Sequence, residues 1–386
     1  MAGKIRVGVL FGGQSSEHEV SLASARSVIG ALDPAKYDVV PIGITRQGAW
    51  LSSGDPMQEL RAGIDPNSIP RLSSVLAPDP SGDGRAELVQ IGPSRNGGQA
   101  LSAQAGEPID VIFPVLHGPY GEDGTVQGML ELAGIPYVGS GVLGSAVGMD
   151  KATMKRLFQA EGLPVVPFVA LTRSEWEADP DAVLRMAESK LTYPMFAKPG
   201  NMGSSVGISK IHGSDEFGPA LDEAARYDRR ILIEQGVDAR ECECSVLGND
   251  NPQVSVVGEV VPGNEFYDYK AKYVDDNSDL IIPAELPDHV AEEVRSLALR
   301  AFKAIDAAGM ARVDFFVAHD FSAVWINEIN TIPGFTRISM YPKLWEATGL
   351  SYPGLIDQLI NLAIERNQDR LRSKSALSEK GADLSV

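Results

Sequence analysis

Cysteine is almost absent from this sequence: the 386 residues include two, Cys242 and Cys244. One residue separates them in a run that is typical of a β-strand, where alternate side chains point to the same face. Such a pair provides neither a disulfide framework nor the ligand spacing of a zinc site. The sequence therefore predicts a protein of a reducing compartment, and we expect it in the cytoplasm.

Long apolar runs and excess positive charge are also missing. The apolar stretch from Val7 to Phe11 is interrupted by Gly8 and has no small-residue cleavage site after it, so we expect neither a signal peptide nor a membrane span. Lys and Arg number 34 against 52 Asp and Glu, which gives a formal net charge of −18. We therefore expect no nucleic-acid or membrane partner, and a bound polyanion must be held by local cations.

What is present is typical of a multidomain globular enzyme. The chain is 44% hydrophobic and 22% charged, and its length suits two or three domains at roughly 150 residues each. Strands alternate with helices in the first third, which predicts a parallel α/β sheet. The predicted elements are strands at Ile5 to Phe11, Tyr37 to Ile44 and Asp110 to Val115, a helix starting at Ser16 with Ser16 and Glu19 spaced as a capping box, and a helix at Thr125 to Ala133. Residues 52–108 are rich in Gly, Pro, Ser and Asp and are predicted to form an irregular loop and hairpin excursion from this domain.

The rest of the chain predicts two antiparallel sheets. The central one has strands at Met195 to Lys198, Val206 to Ile211 and Ile231 to Glu234, after a helix at Asp150 to Ala160. The second has strands at Glu241 to Leu247, Val254 to Val261, Arg312 to Val317 and Val324 to Ile329, covered by a helix at Val290 to Ala307. The predicted domains are therefore 1–140, 141–236 and 237–370, with a disordered polar tail at 371–386.

The strongest chemical signal lies in two short segments, Arg312-Val-Asp314 and Glu328-Ile-Asn330. Residues i and i+2 of a strand share a face, and a turn at His319 to Ala323 would bring the two faces together. Carboxylate and amide oxygens without thiolate or imidazole suit Mg²⁺, which also binds phosphate oxygens. The alternative is the solvated polar face of a hairpin, which the apolar surroundings of Glu328 disfavour.

A glycine- and serine-rich loop from Gly200 to Gly207 follows Lys198 and is predicted to join two strands. Its backbone N–H groups and hydroxyls can bind phosphate oxygens while Lys198 supplies a positive charge; the alternative is a glycine hairpin without a ligand.

Two further motif matches are disfavoured by their context. Gly203-Ser-Ser-Val-Gly207 matches the nucleophile elbow GxSxG, but an elbow turns into a helix and this run continues as a strand. Gly139-Ser-Gly-Val-Leu-Gly144 matches GxGxxG, but Glu161 falls at a helix end, where the dinucleotide fingerprint requires a strand end. We therefore expect neither a hydrolase nor an NAD site.

Further polar positions lie where α/β proteins bind ligands. Glu17 and the loop from His117 to Gly124 each follow a predicted parallel strand, although both also suit helix capping. Lys151 lies in the first turn of a helix, where a cation opposes the helix dipole and a ligand phosphate would explain it. The aromatic and basic run from Phe266 to Tyr273 can act as a lid over a small anionic substrate, or simply pack.

Together these segments resemble the D-alanine–D-alanine ligases of the ATP-grasp superfamily, from about Ile5 to about Ala363 except for residues 52–108. The matching motifs, in chain order, are Gly12-Gly-Gln-Ser-Ser-Glu-His-Glu-Val-Ser21, His117-Gly-Pro-Tyr-Gly-Glu-Asp-Gly124, Met149-Asp-Lys151, Lys198-Pro199, Gly203-Ser-Ser-Val-Gly207, Tyr267-Asp-Tyr-Lys-Ala-Lys-Tyr273, Arg312-Val-Asp314 and Asn327-Glu-Ile-Asn-Thr-Ile-Pro-Gly-Phe-Thr336. The resemblance implies an α/β fold, with α+β character in its C-terminal part, in which ATP is gripped between the central and C-terminal sheets of a three-domain protein.

The resemblance also implies which residues bind the nucleotide and its metal. Nucleotide binding is assigned to Lys151 and Lys198 at the phosphates, Ser205 in the glycine loop, Glu234, Gln235 and Val237 at the adenine, and Glu241 at the ribose. Two Mg²⁺ ions, with Mn²⁺ as an alternative, are assigned to Asp314, Glu328 and Asn330. Gln235 stands where many relatives carry a lysine, which leaves adenine recognition to the backbone.

The remaining assignments concern the two D-alanine molecules. Glu17, aided by His117, binds the first ammonium and joins Ser204 and Tyr273 in a hydrogen-bonded group; Arg312 stabilises the tetrahedral intermediate; Lys272, Ser339 and the backbone near Met340 take the second carboxylate. Related D-alanine–D-lactate ligases typically lack the tyrosine that is Tyr273 here, so its presence favours an amine as nucleophile.

The resemblance therefore implies a homodimeric, ATP-dependent ligase that joins two D-alanine molecules through D-alanyl phosphate and supplies the dipeptide for peptidoglycan. Two alternatives remain open. One is an ATP-grasp ligase with another acceptor, such as D-lactate or a different D-amino acid. The other is a nucleotide-binding protein that has lost turnover, against which the complete set of Arg312, Asp314, Glu328 and Asn330 argues.

Overall fold

The computed structural model describes residues 3–51, 54–62, 73–78, 86–93, 101–105, 108–261 and 279–373. The N-terminal elements are β1 (Ile5–Gly12), α1 (His18–Ala31), β2 (Tyr37–Ile44), β3 (Trp50–Leu51), α2 (Pro56–Ala62), β4 (Ser73–Pro78), β5 (Ala86–Pro93), β6 (Leu101–Ala105), β7 (Val111–Val115) and α3 (Thr125–Ala133). Strands β2, β1 and β7 are parallel, with β3 antiparallel at the edge. The predicted α/β fold class is confirmed.

One local prediction for this region is wrong. Helix α1 begins at His18 and its N-cap is Glu17, so Ser16 and Glu19 form no capping box. The reason is that Ser16 lies outside the helix, and the Glu19 carboxylate accepts from Arg46 at 2.8 Å. In the described parts of 52–108, the chain forms helix α2 and the antiparallel sheet β4–β5–β6, which includes the hairpins of the predicted excursion.

The end of β1 illustrates why glycine is needed there. Gly12 has a φ of +93°, and a Cβ at this position would lie 2.2 Å from the Ile44 carbonyl oxygen of β2. The Gly12 N–H donates to Ser21 Oγ of α1 at 2.8 Å. The turn therefore holds the start of α1, with Glu17 beside it, at the carboxyl edge of the parallel sheet.

The central elements are α4 (Val142–Met149), α5 (Lys151–Ala160), β8 (Phe168–Thr172), α6 (Arg173–Ala178), α7 (Pro180–Glu188), β9 (Met195–Pro199), β10 (Ser209–Ile211), α8 (Ser214–Tyr227) and β11 (Arg230–Gln235). They form an antiparallel sheet in the order β10-β9-β11-β8, which confirms the predicted strand direction. Strand β10 starts at Ser209, three residues later than predicted. Ser204, Ser205 and Gly207 all have positive φ, so this segment turns and does not extend.

The C-terminal elements are β12 (Ala239–Gly248), β13 (Gln253–Val261), β14 (Asp279–Ile281), α9 (Asp288–Ala304), β15 (Gly309–Ala318), β16 (Val324–Asn330), α10 (Met340–Thr348) and α11 (Tyr352–Arg372). All pairs in the sheet β14-β13-β12-β15-β16 are antiparallel, as predicted. In β15 the alternation is clear: Val313, Phe315 and Val317 are at most 1% exposed and pack under α9. Arg312 and Asp314 consequently face the other side.

Helix α11 returns the chain to the N-terminal sheet. Leu355 and Leu359 of α11 belong to the same hydrophobic core as Val7 and Val9 of β1. The helix ends at Arg372, so Leu371 and Arg372 are helical, and the rest of the predicted tail lies outside the described residues. Across the described ranges, we find no helix with both the length and the apolar character that crossing a bilayer requires.

Candidate active site

A cavity of about 570 Å³ lies between the central and C-terminal sheets. Its lining comes from the start of α5, strands β9, β11, β12 and β16, and the loop after β9. The cavity is lined by almost every predicted nucleotide and metal residue: Lys151, Lys198, Ser205, Glu234, Gln235, Val237, Glu241, Glu328 and Asn330. Residues from four separate segments of the chain thus meet in one cleft.

On one side of the cavity lies a cluster of two lysines and one carboxylate, Lys155, Lys198 and Glu234, which we call the lysine cluster. Lys198 of β9 donates a hydrogen bond to Glu234 Oε2 of β11, and Lys155 Nζ of α5 lies 2.5 Å from Glu234 Oε1. Burial alone would raise the pKa of Glu234, but the two ammonium charges lower it below its ordinary value. Burial lowers the pKa of Lys155, while the charge of Glu234 acts to raise it. With both lysines protonated, the cluster holds one more positive charge than negative.

On the other side lies the acidic cluster, formed by Glu243, Arg312, Asp314 and Glu328. Strand pairing sets Glu243 and Glu328 directly opposite Asp314 on either side of β15. Arg312 grips Asp314 with two hydrogen bonds of 2.6 and 2.7 Å, and its Nε lies 3.0 Å from Glu243 Oε2. Burial acts to lower the pKa of Arg312, but Asp314 and Glu243 raise it well above its ordinary value. Three carboxylates therefore share one guanidinium.

The acidic cluster offers the oxygen ligands that Mg²⁺ prefers. Asp314 and Glu328 supply carboxylates, and Asn330, whose Nδ2 donates to Asp314 Oδ2 at 3.0 Å, supplies an amide. Within the described ranges no group of three or more His, Cys, Asp or Glu is arranged to hold a metal ion. Two carboxylates and an amide at the cavity still fit a magnesium ion that keeps waters and phosphate oxygens as its other ligands.

Lys151 joins the two sides of the cavity. It is the first residue of α5, where Asp150 caps the helix by accepting from the Thr153 N–H at 2.7 Å. Its Nζ donates to the Met202 carbonyl at 2.8 Å and lies 3.3 Å from Glu328 Oε2. Lys151 therefore points into the cleft between the glycine loop and the acidic cluster.

The glycine loop also reaches the N-terminal domain. Ser204 has a φ of +50° and its hydroxyl donates to the Glu17 carboxylate, which is 6% exposed. A Cβ on Gly203 would lie 2.8 Å from Glu17 Oε2, so the loop approaches this carboxylate closely. The predicted Glu17–Ser204 contact is present, whereas its third member, Tyr273, lies outside the described residues, as does Lys272.

Two residues of the loop after β7 grip the peptide groups that follow β16. His117 Nδ1 donates to the Ile332 carbonyl at 3.0 Å, while the Ile332 N–H donates to Glu122 Oε1 at 3.1 Å. The other ring nitrogen of His117 lies 3.2 Å from Ser24 Oγ, and burial lowers the pKa of the ring, so it is neutral with its proton on Nδ1. His117 therefore holds the chain after Asn330 in place beside Glu17.

The adenine end of the cavity is built from the chain between β11 and β12. Gln235 lines the cavity, but its side chain is bonded to the backbone of Thr192, accepting from the N–H at 2.7 Å and donating to the carbonyl at 2.8 Å. Gly236 packs against the Pro194 carbonyl, where a Cβ would lie 2.6 Å away. Backbone groups of this segment are thus the ones that face the cavity.

The predicted acceptor residues sit beyond the acidic cluster. Ser339 is the N-cap of α10, and its Oγ accepts from the Thr336 N–H at 3.1 Å. Met340 is buried against Leu344 and Val260, so only its backbone can face a substrate. These two residues lie at the start of one helix.

Three residues of the site were missed from sequence. Lys155 follows Lys151 by one helical turn, and that spacing could have placed it on the cleft side of α5. Glu243 alternates with Cys242 and Cys244 in β12, which puts it on the polar face of that strand. Glu122 lies in a motif that was recognised but was not assigned a role.

Comparison with known proteins agrees with this geometry. Family models described as the D-ala D-ala ligase N-terminus and C-terminus match residues 6–140 and 157–361. The D-alanine–D-alanine ligase of Natranaerobius thermophilus is 50% identical over 376 residues, covering 97% of this chain and 99% of that protein.

Solved structures give the same result. The D-alanine–D-alanine ligase of Coxiella burnetii superposes with a TM-score of 0.76 at 38% identity, covering 96% of this chain and 97% of that one. The VanG D-Ala:D-Ser ligase of Enterococcus faecalis gives 0.77 at 34% identity, covering 94% and 100%. The family predicted from the motifs is confirmed: the chain belongs to the D-alanine–D-alanine ligase family.

Proposed function

We propose that this protein joins two D-alanine molecules to D-alanyl-D-alanine, using ATP and releasing ADP and phosphate. The observation that carries the proposal is the single cavity in which a lysine cluster faces an acidic cluster, with Glu17 tied to its edge by Ser204. A polyphosphate, a divalent cation and an ammonium group each find a complementary partner there. The names carried by relatives at about half identity support the same reaction.

The nucleotide lies between the two sheets. Lys151 and Lys198 contact its phosphates, together with the N–H groups and hydroxyl at Ser205. The adenine lies against the backbone of Gln235 and Val237, near Glu234, and the ribose hydroxyls lie at Glu241.

Asp314, Glu328 and Asn330 would hold the divalent cation, with two ions of Mg²⁺ or Mn²⁺ expected. A cation held there would supply positive charge next to the transferring phosphoryl group. Arg312 is fixed by Asp314 and Glu243, so its position is set before substrate arrives.

The chemistry proceeds in two balanced steps. The carboxylate oxygen of the first D-alanine forms a bond to the γ-phosphorus while the bond from that phosphorus to ADP breaks, giving D-alanyl phosphate. Glu17 holds the ammonium of this molecule, and His117 fixes the adjoining backbone. The amine of the second D-alanine, after losing a proton to water, attacks the carbonyl carbon and forms the C–N bond of a tetrahedral oxyanion that Arg312 stabilises. The bond from that carbon to the phosphate oxygen then breaks, phosphate leaves, and the nitrogen releases a second proton to water.

The acceptor site determines which product forms. Ser339 and the backbone at Met340 take the carboxylate of the second D-alanine, and Lys272 joins them. Tyr273 closes the site and favours an amine nucleophile; the positions of Lys272 and Tyr273 are proposed from sequence motifs. A shielded site matters because water hydrolyses an acyl phosphate.

We also propose that the enzyme is a cytoplasmic homodimer that supplies peptidoglycan precursors, with domains at 1–140, 141–236 and 237–370. Sedimentation of the purified protein tests the dimer. Limited proteolysis followed by mass spectrometry tests the domain boundaries.

Phosphate release from MgATP tests the reaction directly. It is measured with D-alanine, with L-alanine, and with D-alanine plus D-lactate or D-serine, and products are identified by mass. Release with D-alanine alone, yielding its dipeptide, is the expected result. A depsipeptide or D-alanyl-D-serine as the main product would mean that the acceptor is D-lactate or D-serine and not D-alanine. Nucleotide binding without phosphate release would indicate a protein that has lost turnover.

A further inference from the structure

Lys155 is a buried charged residue that the proposed mechanism does not use. Its side chain is 1% exposed, on the face of α5 that also buries Met154 and Phe158. It does not line the cavity, whereas its partner Glu234 does. A buried ammonium is costly unless it is paired, so its presence here calls for a reason.

Lys155 is held by one short ion pair. Its Nζ lies 2.5 Å from Glu234 Oε1, and both side chains are almost fully buried. Among the described residues Glu234 is its ion-pair partner, and the other oxygen of the same carboxylate accepts from Lys198. One carboxylate is thus shared between two lysines.

We propose that Lys155 is a positioning residue for nucleotide binding: by sharing the charge of Glu234, it keeps the ammonium of Lys198 available to the phosphates of ATP. The inference rests on the proposed function, in which Lys198 contacts those phosphates. With Lys155 present, Glu234 cannot neutralise both cations. With Lys155 removed, Glu234 and Lys198 form a closed ion pair next to the cavity, and the phosphates lose an attractive charge.

Lys198 is placed so that this balance matters. It is 8% exposed and lines the cavity, and its Nζ also lies 5.8 Å from the centre of the Phe196 ring. In such a poorly hydrated position the attraction between charges is screened less than at the surface. A change in the net charge around Lys198 therefore changes the affinity of the cavity for a phosphate group.

Helix α5 offers a matched control, because a second ion pair ties it to the same strand. Asp150, at the start of α5, accepts from Arg230 of β11, and Asn201 Nδ2 also donates to Asp150 at 3.3 Å. Arg230 does not line the cavity and does not touch Glu234. Arg230→Gln therefore loosens the α5–β11 contact without altering the charge of the lysine cluster.

The test compares ATP with adenosine in calorimetric titrations of wild type, Lys155→Met, Glu234→Gln, the double variant and Arg230→Gln. Adenosine lacks phosphates, so it reports the adenine end alone. We expect Lys155→Met to weaken ATP binding about tenfold with little change for adenosine. In the double variant no carboxylate neutralises the charge of Lys198. The ratio of the adenosine dissociation constant to the ATP dissociation constant should therefore return to within about threefold of wild type.

Glu234→Gln supplies a reading that does not depend on how well Lys155→Met folds. It leaves two lysines without a carboxylate, so the same ratio should stay level or rise. Equal losses for ATP and adenosine in Lys155→Met, or no rescue by the double variant, would overturn the inference and indicate a structural role like that of Arg230. Wild-type protein that binds no ATP would instead refute the proposed function.

Discussion

The two sides of the cavity use buried charge in opposite ways. In the lysine cluster two ammonium groups share one carboxylate, and the side chains of Lys155 and Glu234 are 1% and 2% exposed. In the acidic cluster three carboxylates share one guanidinium, and the side chains of Asp314 and Glu328 are 13% and 23% exposed. One side is sealed and carries excess positive charge, while the other is open and carries excess negative charge.

This difference explains how a strongly acidic protein can hold a polyanion. The sealed cluster is complete within the chain and presents a fixed cation, Lys198, to the cavity. The open cluster sets the carboxylates of Glu243, Asp314 and Glu328 around Arg312, with Lys151 3.3 Å from Glu328, and it offers oxygen ligands to a divalent cation. A nucleotide that arrives with a divalent ion satisfies both sides at once.

Removing a carboxylate from the open side should have the largest effect. Asp314→Asn keeps the side-chain shape but lowers the charge of a metal ligand and breaks the fork with Arg312. We expect turnover to fall roughly a thousandfold, measured as phosphate release over a range of Mg²⁺ concentrations.

Asp369→Asn is the control for that change. Asp369 lies on the exposed face of α11, paired with Arg372, and its loss should leave activity as in wild type. If Asp314→Asn were to retain most activity at ordinary Mg²⁺, the acidic cluster would not be the metal site.

Replacing the guanidinium of the open side should have the next largest effect. Arg312→Lys keeps the charge but cannot grip Asp314 with two parallel bonds, so the cation shifts from the position of the oxyanion. We expect kcat to fall about a hundredfold with a smaller change in KM for ATP.

Arg240 provides a comparison for this variant on the same sheet. It grips Glu259 with bonds of 2.8 and 2.5 Å but does not line the cavity. Arg240→Lys should alter stability and leave kcat near wild type, and equal kcat losses in the two variants would mean that Arg312 acts through folding.

The open cluster could be predicted from sequence because it obeys the period of a strand. Arg312, Asp314, Glu328 and Asn330 lie two residues apart in pairs, and the hairpin aligns them as expected. The sealed cluster could be predicted only in part, because Lys155 has the composition of a surface residue and its partner Glu234 is far along the chain.

Long-range partners and backbone strain account for the wrong predictions. The predicted capping box of α1 is absent because the helix begins at His18, after Ser16, and the Glu19 carboxylate accepts from the distant Arg46. The predicted start of β10 is wrong because Ser204 and Ser205 adopt positive φ. Few non-glycine residues do so, and no sequence pattern predicts it here.

A third kind of charged group is Glu122, a half-buried carboxyl that accepts from two backbone N–H groups. Burial, with the charge of Glu17, raises the pKa of Glu122 to about 8, whereas the lysines lower that of Glu234. A raised pKa means that the folded protein favours the protonated acid, so this contribution to stability is lost as pH rises from 4.5 through about 8.

Thermal melts of the apoprotein between about pH 5 and about pH 9 measure this effect. Wild type should lose stability relative to Glu122→Gln as pH rises, even though Glu122→Gln is less stable overall because it keeps one acceptor for the Gly118 and Ile332 N–H groups. Parallel curves for the two proteins would show that Glu122 stays ionised throughout, held by those amides.

The smallest effect is expected on the back of the acidic cluster, where β12 turns its other face to the core. Cys242 and Cys244 alternate with Glu243 and are 0% exposed, and burial raises the pKa of the Cys242 thiol to about 12. A thiol that is buried and protonated reacts poorly with a disulfide reagent. We therefore expect no thiol to react in the folded protein and two to react in guanidinium chloride, with activity unchanged by prolonged exposure to the reagent. Reaction of either cysteine at the rate of the unfolded chain would mean that β12 opens locally, and the fixed register that places Glu243 opposite Asp314 would then have to be abandoned.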